Sequence, residues 1–138
     1  MKAQHQANPK PARPAFPKRS PWGRVDDFET IAEGIVRVHT HRHGGIYLSP
    51  ERRTAVPDFV LDATFGGLGH EGWFEEDCDC CWLHLIFQSE FEAFYAGRGK
   101  LDYAKVVESA TRMLEHDNPA LVSRLLLQMP APAKPLTH

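Results

Sequence analysis

The run Ile35-Val36-Arg37-Val38-His39-Thr40-His41, followed by His43-Gly44-Gly45 and then Ile46-Tyr47-Leu48, restricts this chain more than any other feature. Two β-branched, alternating stretches separated by glycines predict an antiparallel hairpin, because glycine takes the positive φ of a tight turn without a Cβ penalty. Phe28 to Ile31 reads as an earlier strand joined through the turn residues Glu33-Gly34. The expectation is therefore a small N-terminal antiparallel meander.

Helical signals follow it. Ser49-Pro50-Glu51 has the form of an N-cap, a proline at the first helical position and an acid in the first turn, predicting a short helix that stops near Pro57, with a further turn over Asp58 to Ala63. Gly66, Gly67, Gly69 and Gly72 predict a loop over 65–72 that lacks the lysine and the strand-before, helix-after setting of a phosphate-binding loop. Residues 75–94 fit two periods: Cys78, Cys81, Trp82, Leu85 and Ile86 at helical spacing, or Cys81, Leu83, Leu85 and Phe87 in strand alternation. Length and the acidic start Glu75-Glu76-Asp77, set against a helix dipole, select the helix. Asp102 caps a clearer helix with Tyr103, Val106, Val107, Ala110, Met113 and Leu114 on one face, and Asn118-Pro119 opens a last one. The fold class expected is α+β, an N-terminal antiparallel β-meander packed against two to four helices, with disordered termini.

Composition narrows function. A chain of 138 residues, 42% hydrophobic and 25% charged, suits one domain. Lys2, Lys10, Arg13, Lys18 and Arg19 face no acid within residues 1–21, so a tail of +5 precedes a body of −7 in a chain of net −2. Five prolines in that tail predict disorder over 1–21, order over 22–129 and a second disordered tail over 130–138. A basic tail permits weak nucleic-acid contact, whereas the acidic body disfavours it. No apolar run approaches a bilayer-spanning length and no signal-peptide pattern opens the chain, so a cytoplasmic protein with no membrane contact is expected. The three cysteines sit together in Cys78-Asp79-Cys80-Cys81, too close for a disulfide framework, and are expected to be reduced.

Trp22-Gly23, Gly34-Ile35-Val36, His43-Gly44-Gly45, Leu48-Ser49, Val56-Pro57 and Gly72-Trp73-Phe74-Glu75-Glu76-Asp77-Cys78 together resemble an uncharacterised domain family of phages, plasmids and bacterial accessory genomes. The resemblance covers residues 22 to about 94 and implies a mobile-element setting without a mechanism. The chain departs from the family pattern at His39, His41, Cys80 and Cys81, which sets chemistry built on those four apart from the family's.

Four constellations carry possible chemistry. His39, His41 and His43 would face one way on a continuous strand and could share a transition metal, although His43 falls in a glycine turn. Cys78 and Cys81 form a CxxC pair with His84 beyond it, half of a zinc set that His70 or His43 would have to complete, or else small buried hydrophobes. His43 with Glu75, Glu76 and Asp77 could make an acid/base site beside Trp73 and Phe74, where desolvation tunes carboxyl groups toward neutrality. The last is an acidic patch of Glu71, Glu75, Glu76, Asp77 and Asp79 flanked by exposed Trp73, Phe74 and Trp82, suited to a basic partner. No attacking nucleophile is evident, since Ser49 is committed to capping. The reading adopted is a protein-interaction module with no cofactor, whose binding residues are Trp73, Phe74, Glu75, Glu76, Asp77 and Asp79 and whose partner is a basic host or phage protein. The alternative is a small enzyme or metal-binding domain around His43 and Glu75 to Asp77.

Overall fold

The computed structural model describes residues 16–99 and 102–129. The tail expected over 1–21 lies outside the described residues up to Ala15, as does the one over 130–138. From Phe16 the chain is placed. Arg19–Ser20 (β1) pairs antiparallel with Gly23–Arg24 (β2), the pair closed by Ser20 Oγ donating to the Gly23 carbonyl, so strand structure starts before Trp22.

The expected meander is the centre of the molecule. Asp27–Ala32 (β3), Ile35–His39 (β4) and Gly44–Leu48 (β5) pair antiparallel in sequence order, and Trp73–Glu75 (β6) adds to β5. The register sets Val36 opposite Tyr47, Val38 opposite Gly45 and Tyr47 opposite Trp73. Alternation sends Ile35, Ile46, Leu48 and Phe74 to the helical side, and Val36, Val38, Tyr47 and Trp73 to the other. That second face is covered too, by Phe16, Trp22, Val25 and Phe28 from the N-terminal segment and by Leu68. Every residue of β5 is consequently buried.

Pro50–Arg53 (α1) begins where expected, with the Ser49 side chain accepting the Arg52 N–H, and Asp58–Ala63 (α2) is a separate helix starting after Pro57. The glycine-rich stretch is a kinked 3₁₀ segment over Phe65–Glu71, with Gly66 and Gly67 at φ +62° and +69° and Gly72 left-handed behind it. The long helix expected over 75–94 is divided. Its first four residues belong to β6 and the turn after it, and Asp79–Ile86 (α3) is broken from Gln88–Ala96 (α4) by Phe87 at φ −112°, ψ 46°. Phe87 is buried, so its side chain holds the bend in the core. Tyr103–Asp117 (α5), capped by Asp102, and Pro119–Gln128 (α6) complete an α+β fold. No helix of the described residues is long and apolar enough to cross a membrane.

The glycine and tryptophan blocks meet at one joint. Trp22 stands edge-on to Trp73 with ring centroids 5.7 Å apart, and its ring covers Gly45. A Cβ at Gly45 would collide with the Phe74 carbonyl oxygen and lie 2.5 Å from Trp22 Cη2. Gly45→Ala is therefore expected to cost about 1–3 kcal/mol by overpacking, read as a lowered urea midpoint, because one of the two obstacles is backbone and cannot rotate away.

Candidate functional site

After β6 the chain turns through Glu76, Asp77 and Cys78 into α3, and this corner is fixed by two carboxylates. The Glu76 N–H donates to the Gly44 carbonyl at 3.1 Å, while Glu76 Oε2 accepts the Gly44 N–H at 3.0 Å, so the side chain extends the β5–β6 ladder one step past the strand end. Asp79 is buried and accepts the Phe65 N–H through Oδ2 at 2.9 Å. Desolvation raises the Asp79 carboxyl above its ordinary range, opposed by backbone N–H donors from Phe65 and Glu75. The bond ties the start of the 3₁₀ segment to the start of α3, with the Phe65 residue itself 68% exposed.

The corner is acidic on its outer side. Glu71, Glu76, Asp77 and Cys78 are exposed and Glu75 is half-buried. Asp117, the last residue of α5, joins them: slight burial, then the charges of Asp117, Asp79, Asp77 and Glu75, push the Cys78 thiol up. Among the described residues the ion pairs engage Glu29, Asp62, Glu90, Glu108 and Asp117, the last with its neighbour His116, and none engages Glu71, Glu75, Glu76 or Asp77.

The aromatic half of the expected patch is placed elsewhere. Trp73, Phe74 and Trp82 are 5%, 0% and 1% exposed and belong to the two cores, because strand alternation puts Trp73 and Phe74 on opposite faces that are both covered. Asp79 is likewise an internal anchor and not a surface charge. Phe65 is an exposed aromatic whose backbone N–H is held by Asp79. Its neighbour Thr64 is buried and donates to the Leu61 carbonyl, so burial is spent on the threonine and the phenylalanine points out.

Next to the corner lies a cleft of about 100 Å³ lined by Arg37, His39, Gly45, Ile46, Glu76, Cys80 and His84. A Cβ on Gly44 would sit 3.5 Å from Glu76 Oε1 and 3.6 Å from His39 Nδ1, so this carboxylate and this imidazole share the edge of one glycine. The His43-Gly44-Gly45 block does meet the acidic run expected beside it, with Gly45 opposite Glu75 and the Gly44 N–H on Glu76, but the cleft itself is lined by His39 and Glu76. His43, Glu75 and Asp77 do not line the cleft. Strand β4 ends at His39 and Thr40 closes the turn, its Oγ1 donating to the His43 carbonyl and accepting from the Arg42 and His43 N–H groups. That turn also breaks the alternation that would have aligned His39, His41 and His43.

Little in the cleft is activated. Burial drives the Cys80 thiol well above its ordinary range, and Cys80 Sγ donates to the Phe74 carbonyl at 3.1 Å. His84 is lowered to about 4 by burial and by Arg37, which keeps it neutral. Arg37 itself is held by Tyr95 and by Glu29 Oε1. The volume is well below the roughly 300–1,000 Å³ of substrate pockets. Among the described residues, no group of three or more His, Cys, Asp or Glu side chains is arranged to hold a metal ion. Phe65 and Arg37 were not singled out as site residues by sequence, and His84 was noted only as the histidine beyond the CxxC pair. Arg37 carried a signal, as the charge interrupting an otherwise apolar strand.

No curated protein and no solved structure matches the chain. A family model described as a domain of unknown function, DUF7007, matches residues 15–133, from just before the N-terminal hairpin to beyond α6. With both cores and the six strands of the described residues inside that match, the chain belongs to the DUF7007 family.

Proposed function

We propose that this DUF7007 domain is a non-enzymatic interaction module, acting in the cytoplasm for a mobile element, that takes a basic host or phage protein on its acidic corner. The observation that carries this reading is the exposed set Glu71, Glu76 and Asp77, with half-buried Glu75, which no ion pair among the described residues engages, together with exposed Phe65, whose N–H is bonded to Asp79. Carboxylates without cations of their own steer a basic surface in, and an exposed ring on a pinned backbone supplies apolar anchorage with little ordering cost. The mobile-element setting is supported by the resemblance of the His-Gly-Gly and Gly-Trp-Phe-Glu-Glu-Asp-Cys blocks. The cleft is too small and too weakly activated to favour catalysis over binding.

Phe65→Ala and a Glu71→Lys/Asp77→Lys double variant separate the two contributions. Each is expected to weaken a basic partner isolated with the wild-type protein by about tenfold or more, with the charge variant also reducing the salt dependence of binding. Unfolding midpoints should stay within about 0.5 kcal/mol of wild type, since these side chains are at the surface. Partner affinity unchanged in both variants would overturn the reading.

A further inference from the structure

Helices α3 and α5 pack antiparallel along a seam marked by two pairs, His84 with Tyr103 and Cys81 with Met113. The Cys81 S–H has two acceptors in reach, the Asp77 carbonyl at 3.4 Å and Met113 Sδ at 3.6 Å. Cys81 and Met113 both line an open groove of about 390 Å³ between the two helices, Met113 is 47% exposed, and Cys78, the cap residue of α3, is an exposed thiol one turn before Cys81, whose N–H its carbonyl accepts. Cys80 belongs to a different environment, donating to the Phe74 carbonyl in the core.

We propose that Cys81, Met113 and Cys78 form a three-sulfur site for a soft monovalent cation, copper(I). Two thiols and a thioether are the donors that select copper(I) over magnesium, calcium or manganese, and methionine stands outside the His, Cys, Asp and Glu sets from which harder metal sites are built. Binding is a ligand exchange without electron transfer: copper(I) enters, the Cys78 and Cys81 thiols release one proton each, and Met113 donates a lone pair. Asp77 and Asp117 favour the step, because carboxylates that oppose a bare thiolate attract the cation that replaces its proton. The groove gives access from solvent. This site stands independently of any protein partner at the corner.

The test is anaerobic titration of the full-length, reduced protein with copper(I) against a chromophoric copper(I) chelator. The wild type is expected to withhold one equivalent, with a thiolate-to-copper charge-transfer band and a sulfur-only first shell by X-ray absorption. Met113→Leu, a volume-matched change at an exposed position, is expected to weaken the site about tenfold or more while leaving the unfolding midpoint in place. Cys81→Ser is expected to abolish the band. Wild-type copper affinity in Met113→Leu, or a first shell containing nitrogen or oxygen, would overturn the assignment.

Discussion

Trp82→Ala is expected to lower the unfolding free energy by about 3–5 kcal/mol, measured by urea denaturation. The indole is 1% exposed on α3, inside the cluster that joins the helical face of the sheet to α4, α5 and α6. Truncation removes its transfer free energy and leaves a cavity that neighbours cannot close, because Phe74, Phe91 and Leu83 around the same core are themselves fully buried. Phe65→Ala provides the contrast, within about 0.5 kcal/mol of wild type. The two aromatic substitutions thus distinguish the ring that builds the core from the ring that is offered to solvent. A small loss at Trp82, or a large one at Phe65, would show that this division is drawn in the wrong place.

Acid should destabilise the protein through His84. Its folded pKa lies near 4 against 6.5 for an ordinary imidazole, lowered by burial and by Arg37. Between those values the unfolded chain binds the proton and the native protein does not. The stabilisation is therefore fully present above about pH 6.5 and lost as pH falls toward 4, on the order of 3 kcal/mol in all. Asp79 works in the opposite sense. Its folded pKa is raised above 3.8, so it favours the native state on the acid side and loses that contribution as pH rises through its folded value, offsetting part of the His84 effect in the lower half of the window. Unfolding free energies measured from pH 7 to 4 on wild type and His84→Gln should converge at the acid end as the wild-type curve drops more steeply. Parallel curves would rule out His84 as the titrating group.

How far the fold was legible follows from which interactions are local. The meander was readable because period-two alternation and the Glu33-Gly34 turn act over a few residues, and the Ser49 and Asp102 caps were readable for the same reason, whereas Gly44 and Gly45, expected in the second turn, are β5 residues without positive φ and the turn is made by residues 40–43. Strand β6 was not. Trp73–Glu75 is three residues long and joins the sheet through β5, about thirty positions earlier, so its strand character comes from a partner that local pattern cannot reveal. Misplacing that strand extended the helix back over Glu75 and set Trp73 and Phe74 on a surface they do not occupy. The break at Phe87 was hidden for a similar reason, since no glycine or proline marks a bend held by packing.

The site was legible in its charge and not in its geometry. Glu75, Glu76 and Asp77 stood out as a run, but Glu76 is distinguished from its neighbours by Gly44, and Asp79 by Phe65, through hydrogen bonds across 32 and 14 positions. The blocks that carry the family resemblance now have a structural explanation. Trp22, Gly45 and Trp73 pack into one joint, and the Glu76 carboxylate closes the sheet beside it. Their residue types are accounted for by a ring lying over a glycine and a carboxylate capping a strand end, without invoking catalysis.

The most direct test of the acidic corner is carbodiimide footprinting of exposed carboxylates by mass spectrometry, on the free protein and on its complex with a basic partner. The account predicts that Glu71, Glu76, Asp77 and Asp117 lose labelling together in the complex, while the exposed Glu51 on α1 and Glu92 on α4 label as before. Protection centred on Glu51 or Glu92, with the corner still fully labelled, would contradict it.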